Sequence, residues 1–131
     1  PLTAIASDGW LKNGKGHPRT AGCYSKVLGH YVREKRSLSL MEALRKIALM
    51  PAQRLESVAP AFRKKGRASV GADADLTLFD PARVIDLATY DAPDQFSAGI
   101  RHVLVAGTFV VRDEALVDGV APGQAIRGQT P

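Results

Sequence analysis

Leu2-Thr3-Ala4-Ile5-Ala6-Ser7-Asp8-Gly9 runs from five apolar or β-compatible residues into a polar turn sequence. The pattern predicts a short buried strand that delivers Asp8 to its end, where a loop begins. Trp10 to Thr20 follows, rich in glycine, proline and lysine; this composition predicts an irregular loop long enough to carry function. From Ala21 to Arg36 the apolar residues Val27, Leu28, Tyr31 and Val32 recur at helical spacing, weakly interrupted by Gly22 and Gly29. Ser39-Leu40-Met41-Glu42 is a capping box, in which the serine hydroxyl accepts from the Glu42 N–H and so starts a second helix. Pro51 is expected to stop that helix at Met50 and to open a short new one through Leu55, because proline lacks an N–H and disfavours helical geometry before it.

After Pro60 the character changes. Asp75 to Asp80 alternates with the strand period, and Val103-Leu104-Val105 and Phe109-Val110-Val111 flank Ala106-Gly107-Thr108 as a hairpin. Helices first and strands afterwards make an α/β chain in two parts, and the charge follows the same division. Residues 1–67 hold 14 Lys/Arg against 4 Asp/Glu, whereas 68–131 hold 4 against 9. A basic part and an acidic part together give the net charge of +5.

With 131 residues, 45% of them hydrophobic and 24% charged, the chain has the composition of a globular protein with one domain-sized core or parts of two. No apolar run is long enough for a membrane span and the first residues lack a secretory pattern, so a cytoplasmic location is expected. The single cysteine, Cys23, has no partner for an internal disulfide and is expected to be inert and half-buried. The basic run Arg63 to Arg67 lacks interleaved aromatics, which argues against nucleic-acid binding.

Several short motifs, in order, resemble the amidohydrolase superfamily and within it the D-aminoacylase and N-acyl-D-amino-acid deacylase group. They are Ser7-Asp8-Gly9, His17-Pro18-Arg19-Thr20, Met50-Pro51-Ala52, the glycines and Ala74-Asp75-Leu76 of residues 66–76, and Val103 to Gly107. Each is weak alone; their order and spacing carry the resemblance. It implies that residues 1–62 are the last strand and helices of a (β/α)₈ barrel and that 63–131 are the C-terminal strands of a small β-sandwich. A whole barrel takes about 250 residues, so the chain matches only the C-terminal end of that plan.

The resemblance also implies a chemistry. The complete protein is expected to hydrolyse a carbon–nitrogen amide bond of an N-acyl (D-)amino acid or related small molecule, with zinc as cofactor and most zinc ligands outside this chain. Asp8 is the expected catalytic residue, a proton shuttle on metal-bound water and a weak ligand in addition. Taken without the resemblance, an aspartate before glycine reads first as a helix-capping or turn residue. Arg19 has two readings of equal weight, a grip on a substrate carboxylate or a hydrogen bond that holds its loop. His17 is placed beside the substrate and not on the metal, since no second ligand stands two or four residues away. His30, on a helix, and His102, on a strand, are expected bystanders. The isolated chain is expected to be inactive, and its partner is the remainder of the barrel or a second polypeptide that supplies it. The alternative is a non-catalytic module that assembles with a chain bearing the metal site.

Two departures from the family pattern stand out. Ala68 occupies a place usually given to a larger aliphatic residue. Ala106 stands where asparagine commonly precedes the hairpin glycine, a poorer choice if that position needs a positive φ.

Overall fold

The computed structural model describes residues 3–128, which form helices in the first half and a sheet in the second. Two short strands, β1 (Leu11–Lys12) and β2 (Lys15–Gly16), pair antiparallel and precede helix α1 (Arg19–Lys26). α1 widens without a break into a π-helical segment, Val27–Glu34, closed by the Lys35 N–H on the His30 carbonyl at 2.8 Å. A second helical run comprises α2 (Leu40–Leu44), a π-helical segment (Arg45–Leu49) and α3 (Met50–Leu55); a 3-10 turn, Pro60–Lys64, ends the helical half. Strands β3 (Leu76–Phe79), β4 (Ile100–Val105), β5 (Thr108–Arg112) and β6 (Ala115–Leu116) then form one sheet in that order. The β4–β5 and β5–β6 pairs are antiparallel, with a register irregularity at Val103/Leu104.

The chain divides into two compact units. One contains residues 5–43 and 79–100; the other contains 3–4, 44–78 and 101–128 of the described chain. In the first, the core is Val27, Leu28, Ala43 and Val84. Gly22 and Gly29, which looked like interruptions of the helix, are what allow its close packing. A Cβ at Gly22 would lie 2.7 Å from the Asp86 Cβ, and one at Gly29 would lie 2.5 Å from the Val84 carbonyl oxygen. Seven residues apart, they share a helix face, and segment 84–86 rests directly on that face. Arg33 completes the seam by donating to the Val84 carbonyl at 2.5 Å, and Lys26 pairs with Asp86 at 3.7 Å.

The second unit is fastened at Asp75. Its carboxylate accepts from the Ala106 N–H at 2.8 Å and from Lys65 Nζ at 2.5 Å, while Lys65 also reaches Asp73 at 3.0 Å. The Ala106 N–H and then the Lys65 ammonium hold the Asp75 carboxyl below its usual range. Bonds to Asp75 and Asp73 raise Lys65 in turn. Gly66, with φ +69, lies where a Cβ would meet the Ala48 carbonyl oxygen at 2.5 Å, so this motif glycine is set by close approach as well as by conformation.

Three expectations are corrected. Thr3 to Ala6 is not a strand; Leu2 lies outside the described residues. No strand pairs with this segment among the described residues, and side chains take its carbonyls instead: Lys46 Nζ donates to Thr3 at 2.8 Å and the Cys23 thiol to Ala6 at 3.7 Å. A strand needs a ladder, and apolar character does not provide one. The loop from Trp10 to Thr20 is not wholly irregular: Asn13 (φ 52) and Gly14 (φ 70) turn β1 into β2 as a two-residue hairpin. Pro51 does not stop the helix, because Met50 keeps helical angles (φ −61, ψ −46) and the widened turn ahead of it absorbs the proline.

Other expectations hold. The Glu42 N–H donates to Ser39 Oγ at 3.2 Å as the capping box requires, and Ala106 does adopt a positive φ, 49°. No described helix is long and apolar enough to cross a membrane.

Candidate active site

Asp8 stands at the head of the hairpin with a positive φ of 43° and a side chain that is 96% exposed. Gly9 follows it against Thr20, where a Cβ would come within 2.5 Å of the threonine Oγ1; the start of α1 is thereby drawn up to the Asp8 turn. Arg19, the first residue of α1, donates from Nη2 to the Asp8 carbonyl at 2.9 Å, and the same nitrogen is 3.6 Å from the Asp8 carboxylate. Thus the two residues that the sequence singled out are neighbours. Of the two readings of Arg19, the loop-holding bond is present, and its remaining guanidinium donors stay available.

His17 is fixed on both ring nitrogens. Nδ1 accepts from the Arg19 N–H at 3.1 Å, so the ring proton sits on Nε2, which donates to the Tyr90 hydroxyl at 3.0 Å. The two rings meet edge to face with centroids 5.1 Å apart. Tyr90 was not foreseen: it lies 73 residues along the chain and nothing local marks it. A continuous series of contacts now runs from Tyr90 through His17 to the first turn of α1, and from Arg19 to Asp8.

These residues border a cleft of about 740 Å³ lined by Asp8, Gly9, Trp10, Lys12, Asn13, Lys15, Gly16, His17 and Arg19. Its charges are cationic except for Asp8. Trp10 is 71% exposed on its wall. Cys23 lies behind, partly buried; burial pushes its thiol up, against the opposing pull of Arg19, which suits an unreactive cysteine. His30 pairs with Glu34 at 2.9 Å on its own helical segment, and His102 Nδ1, on β4, accepts from the Asp113 N–H beyond β5 at 3.2 Å. In the basic run, Lys65 is held by Asp73 and Asp75, and Arg67 by Glu56 at 2.5 Å.

A catalytic zinc needs about three protein ligands. Among the described residues no group of three or more His, Cys, Asp or Glu side chains comes together, and Asp8 is the one carboxylate on the cleft wall. These residues therefore do not fit a zinc ion by themselves; at most they offer it Asp8.

The cleft thus carries one exposed aspartate with an arginine beside it, and no group of metal-binding side chains among the described residues. Residues 4–111 match the amidohydrolase family, and the chain belongs to that family. It is 45% identical over 106 residues to the N-acyl-D-glutamate deacylase of Alcaligenes xylosoxydans xylosoxydans, covering 81% of this chain and 21% of the relative. The N-acyl-D-aspartate deacylase of the same organism is 40% identical over 126 residues, 96% of this chain and 24% of the relative. Among solved structures, a D-aminoacylase superposes with a TM-score of 0.83 at 35% identity, over 95% of this chain and 25% of that one. The N-acyl-D-glutamate deacylase from Bordetella bronchiseptica, complexed with zinc and a phosphonate inhibitor that mimics the tetrahedral intermediate, gives 0.81 at 39% identity, over 95% and 25%. The chain thus spans about a quarter or less of the length of these relatives.

Proposed function

We propose that the complete protein is a metal-dependent hydrolase of the amide bond in N-acyl (D-)amino acids, and that this chain contributes its proton-transfer group, Asp8. The observation that carries the reading is the exposed Asp8 carboxylate at the head of a cleft, with Arg19 fixed beside it. The likeness to deacylases of N-acyl-D-glutamate and N-acyl-D-aspartate supports the substrate class. Residues 1–62 would then supply the end of a (β/α)₈ barrel, and 63–131 the C-terminal share of a β-sandwich whose excursion between β3 and β4 returns Tyr90 to the unit that holds Asp8.

Hydrolysis of an amide requires a proton to leave the attacking water and another to reach the departing nitrogen. Asp8 is suited to both transfers, because its carboxylate is open to the cleft and carries no hydrogen bond that would fix its oxygens. Arg19, anchored through one nitrogen, keeps donors in a planar fork for a substrate carboxylate. His17 holds the Arg19 backbone and so acts on position. Zinc, held by residues of the remaining protein, supplies when bound the Lewis acidity that makes water a nucleophile near neutral pH.

The test is Asp8→Asn in the full-length protein, assayed on N-acetyl-D-amino acids. The variant should fold and bind substrate but lose hydrolysis by about 10²–10⁴-fold; turnover within threefold of the parent would sink the assignment. Residues 1–131 alone, supplied with zinc, should show no turnover. A second polypeptide bringing the missing ligands is the other reading, which the segment Thr3 to Ala6, with no strand paired to it among the described residues, favours; co-purification of such a chain distinguishes the two.

A further inference from the structure

A second cavity, of about 430 Å³, adjoins the cleft, and the two share His17 and Arg19 as a common wall. It is closed on its other sides by helix α1 with the π-helical segment that continues it, and by residues 86–90 of the excursion between β3 and β4. Pro18, Val27, Tyr31 and Ala88 make much of its lining apolar, and its volume falls in the range of small-molecule pockets. The function proposed above makes no use of it.

The charged groups at this cavity are Arg19, Lys26 and Asp86, and they are unequally placed. Asp86 is tucked against Gly22 with its side chain 16% exposed, whereas that of Lys26 is 55% exposed. The two stand 3.7 Å apart, beyond hydrogen-bonding length, and the Lys26 ammonium has no other partner among the described residues. Arg19 commits Nη2 to Asp8, while its Nε and Nη1 have no partner among the described residues. Cationic donors therefore outnumber and outreach the one carboxylate, beside an apolar wall. A monoanion with an apolar tail answers both features, its carboxylate taking the free donors and its tail covering Val27, Tyr31 and Ala88.

We infer that this cavity is a second binding site, for a small monocarboxylate with an apolar tail, and that its occupation lowers substrate capture in the cleft. The site itself stands apart from the deacylase reading; the effect on capture rests on that reading. Arg19 borders both cavities, and the fork of its free donors holds one carboxylate at a time. Each ligand therefore weakens binding of the other by the same factor. The effect falls on KM, because Asp8 and the reacting atoms are untouched.

The probe is hexanoate, titrated into the full-length, zinc-loaded protein by calorimetry and added to assays of N-acetyl-D-leucine hydrolysis. The parent should bind it, and KM should rise about tenfold to a plateau with kcat unchanged, since substrate still binds without the Arg19 grip. Ala88→Phe fills the cavity and Lys26→Gln removes its more exposed cation. Each should weaken hexanoate binding about tenfold and flatten the rise in KM, with KM in the absence of hexanoate unchanged and thermal unfolding confirming the fold. Lys26→Arg should restore binding. Hexanoate seated on the zinc would instead raise KM without limit and equally in every variant, which overturns the inference, as does an absence of calorimetric binding by the parent. Binding with no rise in KM overturns the coupling through Arg19. Failure to hydrolyse any N-acetyl-D-amino acid overturns the deacylase reading, and calorimetry on the parent and the two variants then still decides the site.

Discussion

Asp8 and Asp75 are both aspartates beside a cation and a turn of positive φ, yet their surroundings oppose each other. Asp75 is closed in: Lys65 Nζ stands at 2.5 Å and the Ala106 N–H at 2.8 Å, and its side chain is 30% exposed. Asp8 is open: Arg19 reaches its backbone carbonyl at 2.9 Å, but the carboxylate itself only at 3.6 Å and fully in view of the cleft. A carboxylate whose lone pairs are already claimed by N–H groups holds the fold; one whose lone pairs are free can exchange protons. The motif that ends in Ala74-Asp75-Leu76 and the motif Ser7-Asp8-Gly9 resemble parts of one family pattern, yet their surroundings differ in this way.

The sharpest way to break this contrast is to exchange the effects of the two substitutions. Asp8→Asn should raise the activation barrier by about 3–5 kcal/mol and leave the unfolding midpoint almost unmoved, by parallel activity assay and calorimetry. Asp75→Ala should do the reverse, removing about 1–2 kcal/mol of stability, a figure reduced for the partial exposure of the clasp, while kcat on folded protein persists. The pH dependence sharpens it further. The Asp75 carboxyl is lowered on folding, so its contribution is present above the ordinary aspartate value of about 3.9 and is lost as pH falls through the lowered one. Lys65 is raised, so its contribution is present below about 10.4 and fades as pH climbs through the raised value. Unfolding midpoints measured from acid to alkaline pH should therefore lose the acid flank in Asp75→Ala and keep a weakened alkaline one, because Asp73 still pairs with Lys65.

A smaller effect is expected at Tyr90. Tyr90→Phe removes the hydroxyl that receives the His17 proton, and the loop carrying Arg19 should loosen, raising KM about three- to tenfold for a loss near 1 kcal/mol with little change in kcat. A double-mutant cycle with His17→Ala should be non-additive; additive effects would separate Tyr90 from the Arg19 loop. The smallest is Ala106→Gly, which relieves a left-handed alanine at φ 49°. It should add about 0.5–1 kcal/mol to stability in denaturant titrations, the relief of conformation being partly offset by the freer unfolded chain.

Local chemistry made much of this visible in advance. The capping box at Ser39 and Glu42, the helical spacing of Val27, Leu28 and Tyr31, and the Ala106-Gly107 turn all depend on neighbours within a few residues, and all appear in the structure. Asp8 and Arg19 were chosen from short motifs and are found side by side. What was missed depends on distance or on unusual bonding. The segment Thr3 to Ala6 is apolar enough for a strand, but strand formation is decided by a pairing partner elsewhere. Tyr90 meets His17 through the fold. The π-helical turns keep the apolar pattern of an ordinary helix, so periodicity does not reveal them, and by widening ahead of Pro51 they let the helix continue. The β1–β2 hairpin did leave a signal, Asn13-Gly14, which the surrounding glycines and lysines obscured.

Gly29 turns the helix of the first unit into a lever. With the Val84 carbonyl oxygen 2.5 Å from where a methyl group would sit, any side chain there acts as a wedge, and a stiff rod wedged near one end swings at the other. The other end is Arg19. With Gly22 equally tight against Asp86, the absence of two carbon atoms lets the helix that begins at Arg19 lie flat along segment 84–86.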